Sequence, residues 1–464
     1  MNEARRARGS RTGLAASLAA AFTLLSVPAD AQVADLDEAV AAALRTAPGL
    51  SAARAEVDAA AAGVRGARAP GRPQASLGAA YEFGTGTYEP GPNGRALLGS
   101  LPSGPENALS LAGQNGDGRG SARVSVSQLL YAGGQVRAGV RRAAAGEAAA
   151  RARLRAAEQD VALAVVDAYT ALRAAEAQRQ ATLVASERFA AELGAARTRL
   201  SAGTGTRTDV ALAEAEAAGA EGRRAQAEAE ALAARASLAA LGVPPGALGP
   251  AETLAAATLP SVPNDIEEAV RQAIGGNPAV AAQEAAVEAA RGALRQQRAR
   301  RAPRVRTRAS ASVAEDQFLT GDEVRAFTVT AEVEVPLFEG GAIGAAVSDA
   351  RARLRGEEAA LDAARARAEA EARAAFARLE GARAALRAAE ARLDAARLAD
   401  QGARLEREVG RRSAQDALRV AALAAEAEAG LAEARRARAL AAFSLRAAMG
   451  NLLTEMPNSG QARP

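Results

Sequence analysis

The sequence predicts a mixed, mainly α fold: two tandem repeats, each carrying long coiled-coil helices and two of the chain's four β-strands. Three observations carry that reading. The 464 residues are 49% apolar, mostly alanine, with only 3% aromatic residues, and an Ala, Arg, Glu and Leu excess of this kind favours long helices. The pattern occurs twice. Positions 230 apart match early in the chain (Leu36 with Ile266, Val57 with Val287, Pro73 with Pro303), and positions 207 apart match later (Leu154 with Leu361, Tyr169 with Phe376, Asp209 with Asp416). Between the helices lie segments that alternate apolar and polar residues, the period of a strand with one buried face.

The elements follow in chain order. Arg5, Arg6, Arg8 and Arg11 precede an apolar run from Leu14 to Val27 and a small-residue site at Ala29-Asp30-Ala31, so residues 1–31 read as a secretory signal peptide. The first structural repeat, 32–242, opens with a helix from Asp35 to Arg68, stopped by Pro70 and Pro73. Its first strand sets Ala75, Leu77, Ala79, Tyr81 and Phe83 on one face, and its second spans Val124 to Tyr131. A Gly-, Pro- and Asn-rich segment from Gly84 to Gly120 separates them and reads as a flexible loop; it holds the 23 residues by which the copies differ. A helix from Gln135 to Ser201 is roughly 100 Å long at 1.5 Å per residue, and a shorter helix returns after a tight turn. The linker 243–263 leads to the second repeat, 264–450. There Arg304 to Val313 forms one strand, and Val329, Ala331, Val333, Val335 and Leu337 line one face of the other. Residues 451–464 are expected to be a disordered tail. Leu379, Leu386 and Leu393 recur at sevens, as in a coiled-coil seam.

Composition also excludes functions. Without Cys or His the chain has no thiolate nucleophile, disulfide, His-based triad or zinc finger of its own. Its 58 basic residues are all Arg and face 54 acids; removing the signal peptide lowers the formal +4 to about +2. Arg and Glu interleave at helical spacing, as in Glu369 with Arg373, which describes a solvated helix face rather than a nucleic-acid footprint. The strands are about ten residues long, enough to cross a bilayer when tilted. Arg304, Arg306, Arg308, Glu332 and Glu334 fall on their polar faces, suited to a wet barrel lumen. Four strands cannot close a barrel alone, so several protomers must share one.

The repeated Ala47-Pro48 and Asn277-Pro278, the corners Gln128-Leu129-Leu130-Tyr131-Ala132-Gly133-Gly134 and Pro336-Leu337-Phe338-Glu339-Gly340-Gly341, and two Gly-x-x-Thr/Ser-x-x-Asp turns resemble the TolC-type outer-membrane efflux proteins. The resemblance covers nearly the whole mature chain, twice over. It implies a homotrimer in the cell outer membrane, with outer-membrane lipid around a twelve-stranded barrel and a periplasmic helical tunnel. It also implies docking to a periplasmic adaptor (membrane fusion) protein and to an inner-membrane pump of RND or ABC type, with no cofactor and no enzymatic activity.

The turns at Gly203, Thr206, Arg207, Asp209 and at Gly410, Arg412, Ser413, Asp416 are then the periplasmic tips. Thr206 and Ser413 are helix N-caps with an acid three residues on. On the resemblance, Asp416 lies on the mouth, Arg412 holds it shut through an acid of a neighbouring helix, and Arg419 stands where family members often carry a second Asp. The functional expectation is a passive efflux duct for drugs or metal ions. The outer-membrane component of type I protein secretion is an alternative, and a periplasmic coiled-coil adaptor or scaffold is a rival of another class.

Overall fold

The structure, a computed structural model, describes residues 36–82, 119–243, 259–315 and 323–454. The expected signal peptide and most of the expected flexible loop and linker lie outside these residues.

The first repeat contains α1 (Leu36–Thr46), α2 (Pro48–Arg68), β1 (Gln74–Glu82), β2 (Arg119–Ala132), α3 (Gln135–Ser201) and α4 (Arg207–Ala240). The second contains α5 (Ile266–Gly276), α6 (Pro278–Ala299), β3 (Arg304–Glu315), β4 (Glu323–Glu334), α7 (Ala342–Glu408) and α8 (Ala414–Ala448). The first helix is therefore not continuous from Asp35 to Arg68. Pro48 lacks an N–H and forces its predecessor out of the helical region, so Ala47 sits at φ −57°, ψ 121°. The same break recurs at Asn277, φ −65°, ψ 123°, whose side-chain oxygen accepts from the Ala279 N–H at 2.8 Å and caps α6.

The four strands form one antiparallel sheet in the order β1-β2-β3-β4. β2 begins earlier than expected, and β4 covers Glu323–Glu334, so Val335 and Leu337 fall outside it. Pro336 has no donor for a ladder and ends the pairing there. A register shift between Leu129 and Tyr131 bends β2 into its corner.

The long helices α3 and α7, each 67 residues, run the height of the molecule. On the sheet side they pack with α2 and α6, and beyond with α4 and α8. The short helices abut at mid-height. Thr46 Oγ1 donates to the Gly242 carbonyl at 2.7 Å, and a Cβ on Gly450 would stand 2.0 Å from the Gly276 carbonyl oxygen. Only glycine tolerates that approach at the Gly450 φ of +78°. Around this junction Tyr169, Leu172, Val165, Leu50, Leu238 and Phe443 form the largest apolar core. Leu452 joins it at 2% exposure from a 3-10 turn over Leu452–Thr454, so the tail is ordered at its start because it completes this core. The expected surface pair of Arg373 with Glu369 is present at 3.1 Å, and Arg436 pairs with Glu433 in the same way at 2.8 Å.

Candidate functional site

Register divides the sheet into two chemically different faces. On one, Leu77 and Tyr81 of β1, Val124 and Val126 of β2, and Phe327, Val329 and Val333 of β4 are exposed, with Leu77 and Phe327 at 75%. Burial of each such side chain is worth about 1.5–3 kcal/mol, so a face of this size is stable only against something apolar. Among the described residues no helix is long and apolar enough to cross a membrane, and the sheet exposes its large apolar side chains on one face.

The other face is mainly polar, although one row toward its far end reads Ala80, Ser121, Ala314, Val324. Arg304 is opposite Glu334, with 4.0 Å between their charged groups, and Arg306 is opposite Glu332. Arg308 lies between Ser127 of β2 and Thr330 of β4. The five residues expected in a lumen thus share one face, and two Arg–Glu pairs face each other across β3 and β4. Corners carry the chain from strand to long helix through residues in the left-handed region: Gly133 and Gly134 at φ +59° and +81°, Gly340 and Gly341 at +57° and +86°. At Gly133 a side chain would also meet the Ala302 Cβ at 2.1 Å, so both position and contact demand glycine there.

At the opposite end lie the two turns. Gly203 and Gly410 close α3 and α7 at φ +74° and +73°. Thr206 and Asp209 form a full capping box: the Asp209 N–H donates to Thr206 Oγ1 at 3.1 Å, and the Thr206 N–H donates to Asp209 Oδ2 at 3.0 Å. The Thr206 backbone N–H and then its hydroxyl hold the Asp209 carboxyl below its ordinary pKa. Ser413 caps α8 through the Asp416 N–H at 3.1 Å. Arg412 pairs with Glu406 at 2.7 Å, on the helix that precedes its own turn. Arg207 and Arg419 are exposed.

Between the long helices is a feature that sequence reasoning missed. Asp400 is 5% exposed and receives two hydrogen bonds from Arg188 of α3, at 2.8 and 3.0 Å, and another from Arg404. Closer to the turn the polarity reverses: Glu192 of α3 accepts from Arg407 of α7 at 2.7 and 2.8 Å and from Arg199 at 3.0 Å. Burial alone would raise both carboxyls, but the guanidinium bonds and charges outweigh it and hold each below its ordinary pKa. The signal was present in the seven-residue ladder Leu379, Leu386, Leu393, which continues to Asp400 and Arg407. A buried seam that changes from leucine to acid requires a cation on the facing helix.

The chain and its fold match known proteins. The family model described as outer membrane efflux protein matches residues 39–242 and 269–451. No curated protein sequence matches the chain. Among solved structures, a membrane protein from Pseudomonas aeruginosa is 20% identical with a TM-score of 0.71, over 89% of this chain and 90% of that one. The open state of the Neisseria gonorrhoeae MtrE outer membrane channel is 22% identical with a TM-score of 0.71, over 90% of each chain. The outer membrane protein VceC from Vibrio cholerae is 20% identical with a TM-score of 0.70, over 89% of this chain and 96% of that one. With its two repeats, its sheet of opposed faces and its paired 67-residue helices, the chain belongs to the outer membrane efflux protein family.

Proposed function

We propose that three copies of the chain assemble into the outer-membrane duct of a tripartite efflux system, a passive exit for small molecules such as drugs or metal ions. The carrying observation is the two-faced sheet. It is apolar on one side, polar on the other and open at both edge strands, β1 and β4, so it needs neighbours to satisfy its edges and lipid to cover its outer face. Three sheets give twelve strands, an even number within the range of closed barrels. The helices then continue the tube through the periplasm. Efflux of small molecules is preferred to protein secretion because the matching family is described as an efflux family.

In this reading the turns at Gly203 to Asp209 and Gly410 to Arg419 face the periplasmic adaptor, with an RND or ABC pump beneath it. Asp416, repeated by symmetry, lines the mouth. The Arg188–Asp400 and Glu192–Arg407 pairs keep the two hairpins together, while Arg412, held by Glu406, braces its own turn. No chemistry on the cargo is required of the duct. Purification from outer-membrane detergent extracts tests the proposal: heat-resistant trimers that give conductance steps in planar bilayers are expected. A monomeric protein in the soluble periplasmic fraction would sink it and favour the adaptor reading. Asp416→Ala and Arg412→Ala channels with unchanged conductance and selectivity would remove the mouth assignment alone.

A further inference from the structure

We infer that the barrel end of the duct is an anion-attracting passage, with Arg308 and Arg123 as the residues that set the preference for carboxylate-, sulfate- or phosphate-bearing solutes. The inference rests on the proposed placement of the polar sheet face in a water-filled lumen and adds the charge class that this lumen favours.

The register orders this face into rows. Nearest the helices, Arg304 is matched by Glu334 and Arg306 by Glu332 across β3 and β4. The next row reads Gln74, Ser127, Arg308, Thr330 across the four strands. Above it comes a row of hydroxyls alone, Ser76, Ser125, Ser310 and Thr328, in which Ser76 Oγ and Ser125 Oγ are 2.8 Å apart. Then comes Gly78, Arg123, Ser312, Ala326.

Two consequences follow from that order. Of the described acids on this face, Glu334 and Glu332 stand opposite Arg304 and Arg306 and Glu82 lies two rows beyond Arg123, whereas Arg308 and Arg123 have only hydroxyl, amide, glycine or alanine neighbours in their rows. Successive rows on one face are two residues apart, about 7 Å, so the uncompensated cations stand about 14 Å apart along the strands with the hydroxyl row between them. Guanidinium and hydroxyl donors without competing carboxylates are the set that binds oxyanions, and Arg binds them through paired N–H groups. Both side chains are exposed on the protomer, and therefore free to meet solute. In a three-fold barrel each level becomes a ring of three cations around a narrow low-dielectric wall, which focuses the potential along the axis. The opposite face cannot supply this effect, because Arg325 there is neutralised by Glu323 at 2.7 Å.

The test uses full-length protein in planar bilayers under a potassium chloride gradient, with the reversal potential as readout. The Asp416 ring at the mouth acts in series and is common to every channel compared, so the difference between variants reads the barrel. Arg123→Ser with Arg308→Ser should lower the chloride-to-potassium permeability ratio about threefold or more. Arg123→Lys with Arg308→Lys should retain the parent ratio, since charge rather than shape sets it. Heat-resistant trimers on gels verify that each variant assembles. An unchanged reversal potential in an assembled, conducting serine variant overturns the inference and leaves the duct intact. Absence of conductance steps in the parent instead overturns the duct and, with it, the premise.

Discussion

The middle of the molecule and its distal end are built from the same helices but held by different forces. At mid-height, Tyr169, Leu172, Val165, Leu238 and Phe443 close a continuous apolar core, and glycine contacts lock the short helices end to end. Toward the turns the cores are thin and alanine-rich, with Phe189 and Leu418 as their bulk. There α3 meets α7 through Arg188–Asp400 and Arg407–Glu192. Apolar burial has no alternative partner in water, whereas an ion pair at partly exposed arginines exchanges readily with solvent. The middle is therefore a fixed girdle, and the distal end can separate at small cost.

The largest test of this contrast is Leu172→Ala. Leu172 is fully buried, so about 2–5 kcal/mol of stability should be lost, read as a fall in the thermal midpoint of the helical signal. A loss no larger than that of a distal variant would break the comparison.

Acid comes second. The folded Asp400 and Glu192 carboxyls titrate below their ordinary values. Their contribution is complete above the ordinary carboxylate range and disappears as pH falls through the depressed folded values. Amide protection factors, taken relative to the intrinsic exchange rate at each pH, should therefore fall in the last turns of α3 and α7 as pH drops below the ordinary carboxylate range, while those around Leu172 persist.

Asp400→Ala should act on the same turns at neutral pH. It leaves Arg188 and Arg404 unpaired but able to reach water, so the cost is about 1–3 kcal/mol, seen as faster local exchange without a matching drop in global midpoint. Unchanged exchange in these turns would mean that the pair holds nothing. The smallest effect is that of Arg412→Ala, whose pair with Glu406 is partly exposed. A stability change under about 1 kcal/mol is expected by the same melt.

Periodicity made much of this architecture legible. Both 67-residue helices, the corners and the tips follow from regular spacing, and the two sheet faces from strict alternation, since a period of two fixes which side each residue takes. Local chemistry was underused at Ala47, where the proline that follows already disfavours an unbroken helix. The Arg188–Asp400 contact was illegible for a different reason. Its partners are 212 positions apart on helices of opposite repeats, so no local pattern joins them. Asp400 alone, standing in a leucine ladder, marked the place.

That one position also limits the symmetry of the two repeats. Its counterpart 207 residues earlier is Leu193, and Arg412 likewise corresponds to Gly205. The seam itself joins the two repeats, with Arg188 and Glu192 on α3 of the first and Asp400 and Arg407 on α7 of the second. Each repeat therefore holds only half of the seam, so two copies of either half would leave that junction without its ion pairs.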